Sequence, residues 1–129
     1  MDAARLKDVP LFSALDRHGL AAVARHADEV DVSAGARLTE QGRLAYEFFA
    51  IRQGTATVTR DGETIATLAP GDYFGEIGAI EGERRTADVV ADTDMTLIVM
   101  HARDFREMLR STPDVAEQVR AAIAERSPR

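Results

Sequence analysis

The sequence contains no cysteine, which excludes disulfides, catalytic thiolates and cysteine-ligated metals. It has no apolar run of the roughly 20 residues that a membrane span requires, and no apolar segment typical of a signal peptide follows Met1. Basic residues are in the minority, with 16 Lys and Arg against 22 Asp and Glu, and the resulting net charge of −6 disfavours a general nucleic-acid-binding surface. We therefore expect a cytoplasmic protein without a membrane span.

The residues that are present fit one folded domain. A chain of 129 residues is the size of a single domain and can bury about two thirds of the surface that it exposes when unfolded. Its hydrophobic content of 45% is typical of globular rather than disordered proteins. We predict that residues 1–129 form a single domain.

The two ends of the chain carry helix signals. Asp16 is suited to cap a helix that runs to about residue 26, where apolar residues recur at helical spacing. Near the other end, Thr112-Pro113 is typical of an N-cap followed by a proline in the first helical position. Beyond it, Val115, Val119 and Ile123 recur every four residues, so they share one helical face.

Between residues 28 and 101 the pattern changes to short β-type runs separated by glycine-containing breaks. Asp61-Gly62 is one such break, and it is typical of a hairpin turn that needs positive φ. We predict a mainly β fold, an antiparallel, jelly-roll-like β-roll, with N-terminal helices in residues 1–27 and two C-terminal helices in residues 102–126.

Residues 71–89, GDYFGEIGAIEGERRTADV, are the segment best suited to bind a ligand. Gly75 allows a sharp turn, and a single helical turn after it would present unpaired N–H groups to an anion. Arg85 adds a charged fork that suits phosphate oxygens. Glu76 is repelled by phosphate but can accept hydrogen bonds from a sugar hydroxyl. A phosphate beside a ribose indicates a nucleotide.

Phe74-Gly75-Glu76-Ile77-Gly78, followed by Arg85-Thr86-Ala87, resembles the phosphate-binding cassette of cyclic nucleotide-binding domains. This family includes the catabolite activator protein, protein kinase regulatory subunits and cyclic-nucleotide-gated channels. The resemblance places the cassette at residues 74–87 and spans nearly the whole chain. It implies a sensor that binds cAMP or cGMP, with cAMP favoured, and that has no catalytic turnover and needs no cofactor.

The resemblance also implies a role for each matching residue. Glu76 would hold the ribose 2′-hydroxyl, and Arg85 would pair with an exocyclic phosphate oxygen. The other predicted phosphate-site residues are Gly75, Ile77, Gly78, Ala79, Thr86 and Ala87. The predicted base pocket consists of Val58, Ile65 and Leu68. The C-terminal helices would form a lid, whose predicted contacts are Val119, Ile123 and Arg126.

The sequence does not identify the molecule on which such a sensor acts. No helix-turn-helix follows the predicted lid helix in this sequence, so we expect no direct DNA binding. Three outputs are left open: an unknown effector protein, a homodimer formed through the terminal helices, or a longer channel or regulator of which this chain is a piece.

Two alternative functions remain beside that of a nucleotide sensor. Glu81 and Glu83 lower the positive potential beside the cassette, and they favour an alternative in which the same fold is a protein interaction module with an empty pocket or a different ligand. A metal-dependent β-roll enzyme is a third hypothesis, but His18, His26 and His101 lack the close spacing of metal ligands.

Overall fold

A computed structural model of the chain describes residues 1–44, 46–75 and 85–126, except for the side chains of residues 123, 125 and 126. Within these residues, three helices precede eight strands, and two helices follow them. The helices are α1 (Ala3–Leu6), α2 (Pro10–Ser13), α3 (Arg17–His26), α4 (Ala102–Ser111) and α5 (Pro113–Arg126). The strands are β1 (Asp28–Val32), β2 (Arg37–Thr39), β3 (Glu47–Gln53), β4 (Ala56–Arg60), β5 (Glu63–Leu68), β6 (Tyr73–Phe74), β7 (Asp88–Ala91) and β8 (Met95–His101).

The strands form two four-stranded sheets whose pairings are all antiparallel. The first sheet has the order β1-β8-β3-β6, and the second has the order β2-β7-β4-β5. The hairpin turn between β4 and β5 is where the sequence predicts it, since Asp61 and Gly62 have φ values of 53° and 82°. The predicted antiparallel β-roll with flanking helices is therefore confirmed.

The two sheets enclose an apolar core, which we call the roll core. Its first-sheet members are Phe49, Ile51, Phe74, Met95, Leu97 and Val99, and its second-sheet members are Ala56, Leu68, Val89 and Ala91. Phe49 lies opposite Phe74 in the ladder between β3 and β6, and their rings stack with centroids 4.8 Å apart. This cross-strand pair fixes the short β6 strand, after which the predicted cassette begins.

The outer face of the first sheet packs against the helices and forms a second core, which we call the helical cluster. Among its members are Phe48, Ala50 and Met100 from the sheet and Leu6, Phe12, Val23, Phe105, Met108, Val115 and Val119 from the helices. Because successive strand residues point to opposite faces, β3 supplies side chains to both cores. This explains the uninterrupted buried run Phe48–Ile51.

Both predicted N-cap residues directly precede their helices. Asp16 caps α3 as expected, since its carboxylate accepts a hydrogen bond of 2.8 Å from the Gly19 N–H. Thr112 precedes α5 as expected, but its hydroxyl donates to the Met108 carbonyl at 3.2 Å. A single residue separates α4 from α5, and its carbonyl accepts the first helical hydrogen bond of α5, from the Ala116 N–H at 3.1 Å. Thr112 therefore occupies the predicted N-cap position, while its hydroxyl serves the C-terminal end of α4.

The two C-terminal helices are present as predicted. In this structure, α5 packs against α2, α3 and α4, and its residues Val115, Ala116 and Val119 are buried in the helical cluster. Plain packing therefore accounts for Val115 and Val119 of the apolar stripe in this arrangement. Closure of these helices over a ligand stays a prediction.

Candidate functional site

The site begins at Gly75, directly after β6. Gly75 has a φ of 80°, in the left-handed region that favours glycine. A Cβ atom at this position would overlap Nη1 of Arg85 and would lie 3.2 Å from the Glu47 carbonyl oxygen. Glycine is therefore required here both by the backbone conformation and by the close approach of Arg85.

Arg85 lies against this turn and is only 9% exposed. Its Nη1 donates to the Gly75 carbonyl at 3.0 Å, and its Nη2 donates to the Glu47 carbonyl at 2.5 Å. Its Cζ atom is also 5.9 Å from the centroid of the Phe49 ring. A buried guanidinium needs such partners because it has lost hydration water. The predicted pair of Gly75 and Arg85 is thus brought into direct contact.

The backbone of Arg85 is held by the loop between β2 and β3. The Arg85 N–H donates to the Arg43 carbonyl at 2.7 Å, and the Arg85 carbonyl accepts from the Gly42 N–H at 2.9 Å. The carbonyls of the next two residues, Thr86 and Ala87, accept hydrogen bonds from side chains of β4 and β2. Arg60 Nε donates to the Thr86 carbonyl at 3.1 Å, and the Thr39 hydroxyl donates to the Ala87 carbonyl at 3.0 Å. Consequently, the chain from Arg85 to Ala87 has a defined position before it enters β7.

A cavity of about 250 Å³ adjoins Arg85 on the side of β2 and the following loop. Besides Arg85, it is lined by Arg37, Leu38, Thr39, Glu40, Arg43, Leu44 and Glu47. Its charged groups are paired, since Arg43 Nε donates to Glu40 at 2.8 Å and Arg37 lies 3.4 Å from the same carboxylate. The hydrogen bond that Arg43 donates to Glu40 raises the pKa of Arg43 above its ordinary value.

The predicted base-pocket residues occupy different environments. Leu68 is buried in the roll core, and Val58 is half-buried against it. Ile65 is 47% exposed and lies at a bulge in the ladder between β4 and β5, where Val58 pairs with Ala66 and Thr59 pairs with Thr64. Ala66 therefore belongs to the wall that Val58 and Leu68 form. The sequence carried a signal for it, because Ala66 precedes Leu68 by the strand period of two.

Several predicted site residues lie outside the described part of the chain. These are Glu76, Ile77, Gly78 and Ala79, together with the side chains of Ile123 and Arg126. Thr86, which is described, is exposed, and Ala87 is 9% exposed. Val119 is 1% exposed and lies in the helical cluster rather than in the roll core. Their predicted ligand contacts stay predictions.

The structure also bears on metal binding and on membrane spans. Over residues 1–44, 46–75 and 85–126, no group of three or more His, Asp or Glu side chains is placed to hold a metal ion. No helix in this same part of the chain combines the length and the apolar character of a membrane span.

Comparison with known proteins agrees with this geometry. The family described as "Cyclic nucleotide-binding domain" matches residues 29–112. The chain therefore belongs to the cyclic nucleotide-binding domain family, and the resemblance found in the sequence is confirmed.

Its relatives include potassium channels and protein kinase regulatory subunits. The chain is 34% identical, over 118 residues, to a cyclic nucleotide-gated potassium channel of Rhizobium etli, covering 92% of this chain and 33% of the channel. It is 32% identical, over 111 residues, to the cAMP-dependent protein kinase regulatory subunit of Schizosaccharomyces pombe, covering 85% of this chain and 27% of the subunit. The chain thus spans a third or less of the length of these two relatives.

A solved structure shows the same fold over nearly the whole length. The N-terminal domain of a transcriptional regulator from Streptomyces coelicolor A3(2) superposes with a TM-score of 0.80 at 27% identity. The match covers 98% of this chain and 92% of that domain.

Proposed function

We propose that the chain is a sensor that binds cAMP in preference to cGMP and does so without turnover and without a cofactor. The observation that carries the proposal is the placement of Arg85, whose buried guanidinium lies at the turn after β6. The names of related kinase regulatory subunits support the choice of cAMP. The hydroxyl of Thr86 does not decide between the two nucleotides, because it could contact either a phosphate or a guanine amino group.

The roles of the site residues follow from the proposed ligand. Arg85 donates charge-assisted hydrogen bonds to an exocyclic phosphate oxygen. A guanidinium has five N–H donors, so one group has the capacity both to bond to the backbone of Gly75 and Glu47 and to donate to a phosphate. Glu76 accepts from the ribose, while backbone N–H groups of residues 77–79 and 87 complete the phosphate cradle. Val58 and Leu68 form the wall beside the base, and Ile65 contacts it from the edge strand.

Nucleotide binding can regulate a partner or a further part of the protein only if the nucleotide favours one position of the C-terminal helices over another. The contacts around β3 offer a route from the phosphate to these helices. The Glu47 carbonyl accepts from Arg85, and Glu47 lies opposite His101 in the ladder with β8. The neighbouring Tyr46 carbonyl accepts from the Ala102 N–H, at the first residue of α4, at 2.8 Å. A shift of Arg85 toward phosphate would therefore act on the start of α4.

The proposal is tested by titration calorimetry with cAMP, cGMP and AMP. We expect cAMP to bind most tightly. Arg85→Ala should weaken cAMP binding by about 2–3 kcal/mol, or roughly 30- to 150-fold, because it removes charge-assisted bonds to phosphate. Arg17→Ala removes an equal charge from an exposed position in α3 and should leave affinity within about twofold. Equal loss in both variants would reject the phosphate role of Arg85, and tighter binding of cGMP would reject the preference.

The second candidate is a protein interaction module on the same fold, with an empty pocket or a different ligand. The bonds from Arg85 to two backbone carbonyls favour it, because they stabilise the guanidinium without a nucleotide. This candidate predicts that millimolar cAMP or cGMP leaves the melting temperature unchanged.

The proposal also includes a cellular location and a recipient of the signal. We expect a cytoplasmic location, and an output that passes to an effector protein, to further segments of a longer chain, or to a second copy through the terminal helices. Sedimentation with and without cAMP distinguishes the last of these, because only a homodimer doubles the mass.

A further inference from the structure

Gln41 makes three hydrogen bonds that join three separate parts of the chain. Its backbone N–H donates to Asp88 Oδ1 at 2.6 Å, and its side-chain Nε2 donates to Asp61 Oδ1 at 2.8 Å. Its Oε1 accepts from the Asp61 N–H at 3.1 Å. Gln41 lies in the loop between β2 and β3, Asp61 in the turn between β4 and β5, and Asp88 at the start of β7. One residue therefore connects the loop and the hairpin to β7.

The paired bonds between Gln41 and Asp61 define an orientation as well as a distance. Asp61 has a φ of 53° and presents both its N–H and its carboxylate to the same amide. A single hydrogen bond lets two groups rotate about their shared axis, whereas two bonds between the same groups do not. Because Gln41 is exposed, each bond contributes little stability, and the main effect of the pair is on position.

The neighbours of Gln41 extend the same arrangement to Arg85. The N–H of Gly42 donates to the Arg85 carbonyl, and the carbonyl of Arg43 accepts from the Arg85 N–H. From the hairpin, Arg60 donates to the Thr86 carbonyl. The segment 85–88 is therefore bonded to the β2–β3 loop at its first and last residues, and to the β4–β5 hairpin at Thr86.

We propose that Gln41 is a positioning residue of the nucleotide site. It holds the β4–β5 hairpin, which carries Val58 and Leu68, in a set orientation to residues 85–88, which carry the phosphate-binding guanidinium. The proposal rests on the proposed function, because it assigns these two sides to the base and the phosphate of one ligand. Gln41 itself acts only through Asp61 and Asp88.

The pair with Asp61 is tested by reversing its donor and acceptor. Gln41→Glu replaces the amide donor with a carboxylate that faces the Asp61 carboxylate, and we expect cAMP affinity to fall about 3- to 10-fold. Asp61→Asn alone keeps an acceptor for Gln41 and should bind cAMP as the wild-type protein does. The double variant Gln41→Glu/Asp61→Asn again pairs a donor with an acceptor and should recover affinity to within about twofold of the wild-type. Gln118→Glu, at an exposed position in α5, is the charge-matched control and should change nothing.

A second measurement needs no ligand. Amide hydrogen exchange of the ligand-free protein should become faster in Gln41→Glu at residues 85–88 and in the hairpin turn, while the amides of β8 keep their rates. If the wild-type protein binds neither nucleotide, the proposed function fails, and the exchange data alone then decide whether Gln41 holds residues 85–88. Unchanged exchange at these residues, or a loss of affinity that the double variant does not recover, would overturn the proposal.

Discussion

Gly75 and Arg85 are ten positions apart in the chain but in direct contact in the fold. The sequence indicated both residues, Gly75 as a turn and Arg85 as a phosphate ligand. It did not indicate that the absence of a side chain at Gly75 is what admits the guanidinium. Gly75 thus meets two requirements at once: it adopts a positive φ, and it leaves room for the Arg85 guanidinium where a Cβ would lie.

The two requirements can be separated by experiment. Gly62 has nearly the same φ as Gly75, 82° against 80°, but a Cβ at Gly62 would meet nothing within 4 Å. Gly62→Ala should therefore cost only the backbone strain, about 1–2 kcal/mol of unfolding free energy. Gly75→Ala should cost more by urea denaturation, because the new Cβ also displaces Arg85.

The double variant Gly75→Ala/Arg85→Ala completes this comparison. It removes the group that the new Cβ would overlap, so the cost of Gly75→Ala should fall toward that of Gly62→Ala. Equal costs for the two single variants would contradict the steric role of Gly75.

At the scale of the elements, the question is which surface the apolar face of α5 covers. The sequence predicted its start, its length and its apolar stripe, and the resemblance predicted that it covers the ligand. In the structure its buried side chains pack in the helical cluster, where α5 contacts α2, α3 and α4, and coverage of a ligand stays a prediction. Periodicity identifies which residues of a helix share a face, but it does not identify the surface that the face will cover.

Two valines of α5 distinguish packing from ligand contact. Val115 and Val119 are 2% and 1% exposed in the same helical cluster. Truncation to alanine should lower the unfolding free energy by about 1–2 kcal/mol in each case, because similar buried methyl groups are lost. Only Val119 is a predicted lid contact, so Val119→Ala should weaken cAMP binding in titration calorimetry by about 3-fold or more, whereas Val115→Ala should not. Equal affinities of the two variants would remove Val119 from the lid.

At the scale of the whole molecule, the first sheet is shared by two cores. One face of β3 packs in the roll core beside Arg85, and its other face packs in the helical cluster. Site and helices are therefore connected through a strand that is buried on both sides, and interiors of this kind transmit displacement because they are closely packed. This arrangement fits a sensor whose helices respond to its ligand.

The whole molecule should gain stability from a ligand that binds only the folded state. At 100 times its Kd, cAMP should add about 2.7 kcal/mol, which for a domain of this size raises Tm by about 10 °C. AMP, whose phosphate is not closed into a ring, serves as the control ligand and should give a smaller shift. At the same cAMP concentration, Arg85→Ala should gain only about 0.3–0.9 kcal/mol, so differential scanning fluorimetry should show a shift of about a third of the wild-type value or less; an undiminished shift would place the nucleotide elsewhere.

Local features were predictable because their causes lie within a few residues. The cap at Asp16 and the turn at Asp61-Gly62 follow from the chemistry of the residues at those positions. The family, too, was recognisable from one short segment, because glycine, acid and arginine recur there at a characteristic spacing. Thr112 shows the limit: the sequence indicated its N-cap position but not that its hydroxyl donates to the end of α4.

The sequence by itself determined the class of fold, the absence of thiol chemistry and the residues that suit a phosphate. Only the tertiary structure decided which groups meet those residues. Arg85 contacts Glu47 from 38 positions away, and Gln41 bonds to Asp61 and Asp88 from 20 and 47 positions away. Such contacts depend on how strands from distant parts of the chain are paired in register, and this pairing is a property of the assembled sheets rather than of any local pattern.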